Sequence, residues 1–423
     1  MKRKTISAGI DTSTQTTLGK SLVTLGLATA LGIAGSFGAR GEALVERPWD
    51  EIVAAAEGQT VYWNAWAGDE KTNAFISWAD AQLRERYGVR IEHVKLTDTA
   101  EAVARVVAER AAGRDEGGTV DLIWINGANF VTMKDQGLLF GPFTQVLPNY
   151  ELVDEDNPSN IIDFTVPIDG MAAPWRVAQL AFVYDSARVD RDSLPGSIPA
   201  MLDWARDNPG RLTHPNARNF LGATFLKQAL HALAPDTSVL YEEATDATYA
   251  EATAPLWEWY EAIRPHFWRG GNEFPGSSAD LDRLLDDGEI EIAVTLNPAT
   301  AALLSETGLL PDTARVFFLD EGTIGNTSFV AIPYNAANRE GAMVVSNFLM
   351  SPLAQARAQD PTVLGAFTVL DMDALDDDAR ALFDAASTHP AMPGPDDIAD
   401  VQMESHPSWM TRLTQDWEAR TSR

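Results

Sequence analysis

Hydrophobic and polar residues follow one another in strand–loop–helix order near the start of the chain. Thr60–Trp63 is a run of β-branched and aromatic residues, which favours a buried strand. Residues 64–68, NAWAG, then predict a turn. From Phe75 to Leu83, apolar residues recur at three- and four-residue spacing, the period of an amphipathic helix. A strand, a polar loop and a helix form half of a βαβ unit.

The same pattern recurs twice more. Val89–Leu96 predicts a strand, and the helix after it ends at Gly113. Val120–Ile125 is an almost continuous apolar run, typical of a parallel strand that is covered on both faces. Repeated units of this kind predict an α/β fold with a mostly parallel sheet. Ligands of such sheets bind at the carboxyl ends of the strands.

Beyond residue 142 the pattern becomes loop-rich and then resumes. We predict further strands at 180–184, 289–296, 314–319 and 328–333, and helices near 199–207, 223–233, 249–267 and 339–350.

The first 43 residues have the features of a secretory signal. Four basic residues within the first twenty precede the apolar run Leu22–Ala34, which is shorter than the about 20 residues of a membrane span. We predict cleavage near Ala43; a buried N-terminal helix is the alternative. The chain has no cysteine, which excludes disulfides and thiolate metal sites. Export of such a chain predicts a periplasmic protein.

The charge balance narrows the classes of partner. The chain has 61 acidic and 32 basic residues, a formal net charge of −29. Binding to nucleic acid depends on basic residues that neutralise phosphates, so we expect no nucleic-acid partner. The acidity fits either solubility in a saline habitat or a cationic ligand.

Five segments follow one another in a familiar order: VYWNAWAG, VDLIWINGANFVTMKDQGLL, PWRVAQLAFVYDSARV, GSSADLDRLLDDGEIEIAVTLNP and NTSFVAIPYNAANREGAMVVSNFLMSPLAQA. From about Gly58 to Gln359 the chain resembles the bacterial extracellular solute-binding proteins of family 1, and within them the YnjB-type and the thiamine- and polyamine-binding members. The iron-binding branch uses neighbouring tyrosines, and no Tyr-Tyr pair occurs here. Iron is therefore not an expected ligand.

The resemblance implies a type II periplasmic-binding-protein fold. Its two lobes would each be a mostly parallel sheet flanked by helices, with a hinged cleft between them. Residues 44–173 and 298–326 would form the first lobe, and residues 174–297 and 327–423 the second. The resemblance also implies a monomer that catalyses no reaction, needs no cofactor or metal, and passes a small-molecule ligand to an ABC transporter permease in the inner membrane.

The candidate ligand-binding residues come partly from the pattern and partly from the resemblance. Indole faces can stack on a planar ligand or hold a cation, and Arg176 could bind an anionic group through two hydrogen bonds. Each residue also has a structural alternative: core packing for the tryptophans, turns for the asparagines, an ion pair for Arg176 and a helix cap for Ser277. The candidates are Trp63, Asn64, Trp66, Asn126, Asn129, Trp175, Arg176, Asn219, Ser277, Ser278, Asn297 and Thr327.

The tryptophans and the acidity together favour a small organic amine or a thiamine-like cation as the ligand, with a sugar or a zwitterion as the alternative. Two other functions stay open from the sequence. One is a secreted hydrolase that uses carboxylates, and the other is a binding protein that reports to a sensor.

Overall fold

The computed structural model describes residues 44–385, 389–393 and 398–422. The predicted signal sequence and its cleavage site lie outside these residues. Within the described ranges, no helix combines the length and the apolar composition that a membrane crossing requires.

Three parallel strands form one side of the larger sheet. Strand β1 (Thr60–Trp66) lies between β2 (Arg90–Leu96) and β3 (Leu122–Ile125). β1 extends to Trp66, beyond the predicted end at Trp63, because its pairing with β2 continues to Trp66 opposite Leu96. The helices of this region are α1 (Trp49–Ala56), α2 (Glu70–Tyr87), α3 (Ala100–Ala111) and α4 (Gly127–Asp135).

Two long antiparallel strands, β6 (Ala172–Gln179) and β10 (Thr323–Ala331), continue this sheet. On its other edge, β10 pairs with β3 over Phe329–Ala331 and with the short β11 (Val401–Gln402) at its beginning. The hairpin of β4 (Ile162–Asp163) and β5 (Val166–Pro167) stands apart from this sheet.

A second sheet of three strands has β7 (Ala181–Asp185) between β8 (Ile292–Thr295) and β9 (Ala314–Phe317). β7 is antiparallel to both neighbours, so the expectation of a mostly parallel sheet is wrong for this lobe. The reason is connectivity: β7 follows β6 after a single residue and therefore enters the sheet from the direction towards which β8 and β9 run.

The remaining helices follow β7 in the chain. In chain order they are α5 (Ile198–Asp207), α6 (Phe220–Leu233), α7 (Asp246–Ile263), α8 (Ser278–Asp286), α9 (Thr300–Glu306), α10 (Arg339–Leu349), α11 (Pro352–Gln359), α12 (Asp377–Asp384) and α13 (Pro407–Thr421). Of these, α10 and α11 pack in the core that contains Trp63 and Trp175.

The buried apolar residues separate into cores that define two lobes. The first lobe contains Trp63, Trp175 and residues 330–366. The second lobe contains residues 180–294, and also residues 301–319 and the C-terminal Trp409 and Trp417. We use "first lobe" and "second lobe" in this sense below.

This packing differs from the predicted division of the chain. Residues 298–326 were expected in the first lobe, yet Phe317 stacks on Phe182 of the second at a centroid distance of 5.3 Å. Residues 327–423 were expected in the second lobe, yet Phe348 packs against Trp78 of the first at 5.8 Å. The cause is β10, which runs from the second lobe back into the first, so the chain changes lobe there and not near residue 298.

Candidate ligand-binding cleft

The carboxyl ends of strands from both lobes meet at the crossing pair β6 and β10. In the first lobe, the last residue of β3, Ile125, is opposite Phe329 of β10. In the second lobe, the last residue of β8, Thr295, is opposite Ala181, just after β6 ends. This is the position at which α/β folds bind ligands.

Residues Gly325–Phe329 of β10 therefore span the distance between the lobes. Gly325 is opposite Gln179, near the end of β8, and Phe329 is opposite the end of β3. The four steps along the strand from Gly325 to Phe329 measure about 13 Å, which suits a small organic molecule. We call the region bounded by Trp66, Asn126, Arg176, Asn297 and Ser328 the cleft.

Trp66 is the tryptophan that the structure leaves accessible. Its side chain is 40% exposed, and its ring meets the edge of Trp124 at a centroid distance of 6.3 Å. On its other side the indole lies against Gly68, where any Cβ would come within 2.3 Å of the ring. Gly68 thus allows the indole to fold back over the turn, and Trp124 supports it.

Trp63 and Trp175, by contrast, are fully buried. Trp175 contacts Trp124 edge-on at 4.9 Å and Trp63 at 5.8 Å, and it stacks on Phe75 at 6.0 Å. The indole N–H groups of Trp63 and Trp175 have no acceptor among the described residues. These two residues are core residues beneath the cleft, so their predicted direct contact with ligand does not fit the structure.

Arg176 lies between the lobes with few partners. Its side chain is half-buried, and it donates one hydrogen bond, from Nη1 to Thr72 Oγ1 at 3.4 Å. Burial lowers the pKa of Arg176, and the nearby charge of Asp69 opposes that shift. Asp69 itself caps α2 by accepting from the backbone N–H groups of Lys71 and Thr72, so its carboxylate is already engaged.

The predicted asparagines of the first lobe have different surroundings. Asn64 is buried and accepts a hydrogen bond from Arg105 at 3.1 Å, so it has a structural role. Asn126 precedes α4 without capping it, and its side chain is half-buried at the end of β3. Asn129 is half-buried one turn later. Asn126 is the asparagine that the fold places at the cleft.

In the second lobe, Asn219 and Ser277 cap α6 and α8 respectively. The two caps lie side by side, because Asn219 Nδ2 approaches the carbonyl of Gly276 at 3.5 Å. Ser278, the first residue of α8, is exposed. Asn297 follows β8 and donates to the carbonyl of Leu364, a first-lobe residue, at 2.9 Å. It therefore links the two lobes directly.

Thr327 is buried and pairs with Val177, the residue after Arg176 on β6, so its side chain leaves the opposite face of the sheet from Arg176. It donates to Asn160 Oδ1 at 2.9 Å and contacts the hydroxyl of Ser159 at 3.1 Å. These bonds fix the segment before the β4–β5 hairpin on the crossing strand. The arrangement gives Thr327 a structural role.

A buried ion pair next to this segment was not among the sequence-based candidates. Lys227 of α6 and Glu404 are both fully buried and 2.5 Å apart, and Glu404 also accepts from Asn326 at 3.1 Å. The ammonium lies 4.9 Å from the ring centroid of Phe164, in the turn of the β4–β5 hairpin, and 5.1 Å from that of Phe220. Three parts of the chain thus meet at one charge pair.

Asp163 lies next to this ion pair and also escaped prediction. One of its oxygens accepts from the backbone N–H of Gly127 at 2.7 Å, and the other has no partner within the part of the chain that the structure describes. Burial raises the pKa of Asp163 well above its usual range, and the charge of Glu404 raises it further. Nothing in the local sequence distinguishes Asp163, Lys227 or Glu404 from the many surface charges.

A separate groove of about 480 Å³ lies on the outside of the second lobe, between α7 and α13. Arg420 and Glu261 form an ion pair there at 2.6 Å, and Tyr249 donates to Asp416 at 3.1 Å. Its polar groups thus pair with one another. Across the described ranges, no three His, Cys, Asp or Glu side chains come together in a way that could hold a metal ion.

Comparison with known proteins identifies the family that the chain resembles. Residues 78–378 match the family model described as bacterial extracellular solute-binding protein. The chain is 42% identical over 370 residues to "Protein YnjB" of Escherichia coli (strain K12), a match that covers 87% of this chain and 92% of that protein.

Solved structures with the same fold are more distant in sequence. A putative extracellular solute-binding protein from Bordetella parapertussis superposes with a TM-score of 0.61 at 13% identity, covering 86% of this chain and 99% of that one. A putative spermidine/putrescine ABC transporter protein from Listeria monocytogenes gives 0.57 at 16% identity, covering 86% and 98%. The predicted fold class is confirmed. The chain belongs to the bacterial extracellular solute-binding protein family, as its sequence predicted.

Proposed function

We propose that this solute-binding protein holds a small organic solute in the cleft and delivers it, chemically unchanged, to the permease of an ABC importer. The proposal includes the periplasm as its location and the inner membrane as the site of its partner. The membership of the family and the type II fold support the general role.

The observation that carries the proposal is the position of Trp66. A 40% exposed indole stands at the end of β1, supported by Trp124 and by close contact with Gly68. An exposed aromatic face at the ligand-binding end of a sheet can stack on a flat organic group or attract a cation, worth about 0.5–2 kcal/mol.

We assign the other ligand contacts to polar residues at the ends of strands and helices beside the cleft. The side-chain amide of Asn126 makes no capping hydrogen bond. Asn297 already connects the lobes, so its contacts would change when the lobes close. Ser278 and the adjacent caps Asn219 and Ser277 offer polar groups from the second lobe. We propose that the part of the solute that contacts Trp66 is an organic amine or a thiamine-like cationic group.

Native mass spectrometry of protein released gently from the periplasm tests the proposal. We expect a small molecule retained by the wild-type chain, absent after unfolding and refolding, and recovered in its original chemical form. The variant Trp66→Ala should retain much less of it, whereas Trp268→Ala, on the outside of the second lobe, serves as the control. A cleft that retains nothing from a cell extract, or that releases a hydrolysed product, would contradict a receptor role.

A further inference from the structure

The half-buried charge of Arg176 indicates what the solute must carry. The chain has 29 more acidic than basic residues, and most described arginines form an ion pair, as Arg84, Arg206 and Arg420 do. Arg176 has no such ion pair with any described carboxylate, and its one hydrogen bond is to a neutral hydroxyl. A guanidinium has five N–H donors, so most of its binding capacity is unused.

The groups beside Arg176 in the described structure are a free hydroxyl and a carboxylate that is already engaged. Ser328 is directly opposite Arg176 on β10, so their side chains leave the same face of the sheet a few ångströms apart. The hydroxyl of Ser328 makes no hydrogen bond to another described side chain. Asp69 is the acidic group that influences Arg176, and its oxygens accept from Lys71 N, Thr72 N and Thr72 Oγ1.

Loss of water from Arg176 opposes closure of the lobes in the absence of a negatively charged partner. A charge removed from water is costly unless a partner replaces the water. Closure of the lobes over Arg176 would bury it further, so closure is favourable only if the bound solute supplies the missing negative charge. A guanidinium fork matches the geometry of a carboxylate or a phosphate.

We propose that Arg176, with the hydroxyl of Ser328, binds an anionic carboxylate or phosphate group of the solute, while Trp66 contacts its organic part. This inference rests on the proposed function and specifies its ligand. A purely cationic amine does not satisfy it. A zwitterion or a phosphorylated cation does, because its positive part can face Trp66 and its negative part Arg176.

The test uses simple anions as probes on ligand-free, refolded protein. Inorganic phosphate and acetate are titrated separately at constant ionic strength against a chloride reference, and binding is read from tryptophan fluorescence and the unfolding temperature. Trp175 precedes Arg176 in the chain and contacts Trp124, so these two indoles provide the fluorescence signal. We expect a saturable response to at least one of the two anions, and the stronger one identifies the group.

Variants connect the response to this side chain. Arg176→Gln should weaken anion binding at least about tenfold, because a charge-assisted pair of hydrogen bonds is lost. Arg176→Lys should bind the anion more tightly than Arg176→Gln but less tightly than wild type, since lysine keeps the charge but not the two-pronged donor geometry. Arg206→Gln, an exposed arginine on α5, is the matched control and should bind as wild type does. Circular dichroism verifies that each variant is folded.

The inference fails if neither anion gives a saturable response, or if Arg176→Gln responds as wild type does. It also fails, while the receptor role stands, if the solute retained on purification has no acidic group. Retention of no solute at all would instead count against the proposed function.

Discussion

At the scale of single residues, two tryptophans close in space have opposite roles. Trp66 is partly exposed at the cleft, whereas Trp175 is fully buried among Phe75, Trp63 and Trp124. Both belong to one continuous aromatic cluster. The buried members hold the ends of β1 and β3 in place, and the exposed member is available to a ligand.

Replacing these two residues by alanine should therefore affect different quantities. Trp175→Ala leaves a cavity and should lower the free energy of unfolding by about 3–5 kcal/mol. Trp66→Ala should lower it by less than about 1 kcal/mol, since little buried surface is lost, but should weaken solute retention. Denaturant unfolding and native mass spectrometry measure the two effects. Equal destabilisation by both changes would contradict the division of roles.

Asp282 provides a pH-dependent prediction. Burial raises its pKa to about 7 in the folded protein, from 3.8 for an ordinary aspartate. Between these values the unfolded chain loses this proton while the folded chain keeps it, so stability falls as the pH rises from about 4 to about 7 and the loss is complete above that range. Each unit of difference corresponds to about 1.4 kcal/mol.

Asp282→Asn removes this titration. Its advantage in unfolding temperature over wild type should grow as the pH rises between about 4 and 7 and then remain constant. Thermal unfolding across that range measures it, with Asp286→Asn, exposed on the same helix α8, as the control. An advantage that does not change with pH would show that burial does not hold the Asp282 proton.

At the scale of elements, the buried pair of Lys227 and Glu404 joins α6 to the C-terminal segment and, through Asn326, to the crossing strand β10. The pair also lies beside Phe164, in the turn of the β4–β5 hairpin. Its position at this junction indicates that it fixes how three separate segments meet.

Breaking the pair of Lys227 and Glu404 should lower the free energy of unfolding strongly. Lys227→Met leaves the Glu404 carboxylate buried and without its main partner, and we expect a loss of about 3–5 kcal/mol in unfolding free energy. The double variant Lys227→Met/Glu404→Gln should lose less than the single one, because no unpaired charge remains. Asp246→Asn, which breaks the exposed Arg412–Asp246 pair at 2.8 Å, should cost less than about 1 kcal/mol. Similar losses from the buried and exposed pairs would contradict this account.

Comparison of predicted and observed strands shows which elements the sequence pattern predicts correctly. β3 and β7, predicted at 120–125 and 180–184, are found at Leu122–Ile125 and Ala181–Asp185, because continuous apolar runs specify buried strands. The end of β1 was predicted too early, because Asn64 looks like a turn residue but pairs within the sheet. Periodicity describes local structure, and pairing with β2 overrides it.

The site was less predictable than the fold for the same reason. Trp63 and Trp66 are chemically identical and three residues apart, so on β1 they leave opposite faces of the sheet. The packing of Trp175 against Trp63 shows which face is buried, and the sequence alone does not. Lys227, Asp163 and Glu404 are far apart in the chain and meet only through the crossing of β10. The antiparallel second sheet likewise depends on the direction in which β7 enters it, which composition does not reveal.

At the scale of the whole molecule, the proposed function requires the two lobes to close on a solute. The crossing strands β6 and β10 connect the two cores, and the bond from Asn297 to Leu364 bridges the lobes beside them. Binding that engages Trp66 and Arg176 from one side and the α8 terminus from the other would favour the closed arrangement, because a ligand shifts a conformational equilibrium by its preference for one state.

The distance between the lobes tests this central claim most directly. The chain contains no cysteine, so Glu85→Cys and Asp207→Cys, both exposed and on different lobes, place one spin label on each. Pulsed electron–electron double resonance then measures the distance between the two labels. It is measured for ligand-free protein and for protein saturated with the solute that it retains from a cell extract. We predict a shift to a shorter and narrower distance distribution, and none with Trp66→Ala/Arg176→Gln at the same solute concentration. An unchanged distribution in the protein with bound solute would contradict the account.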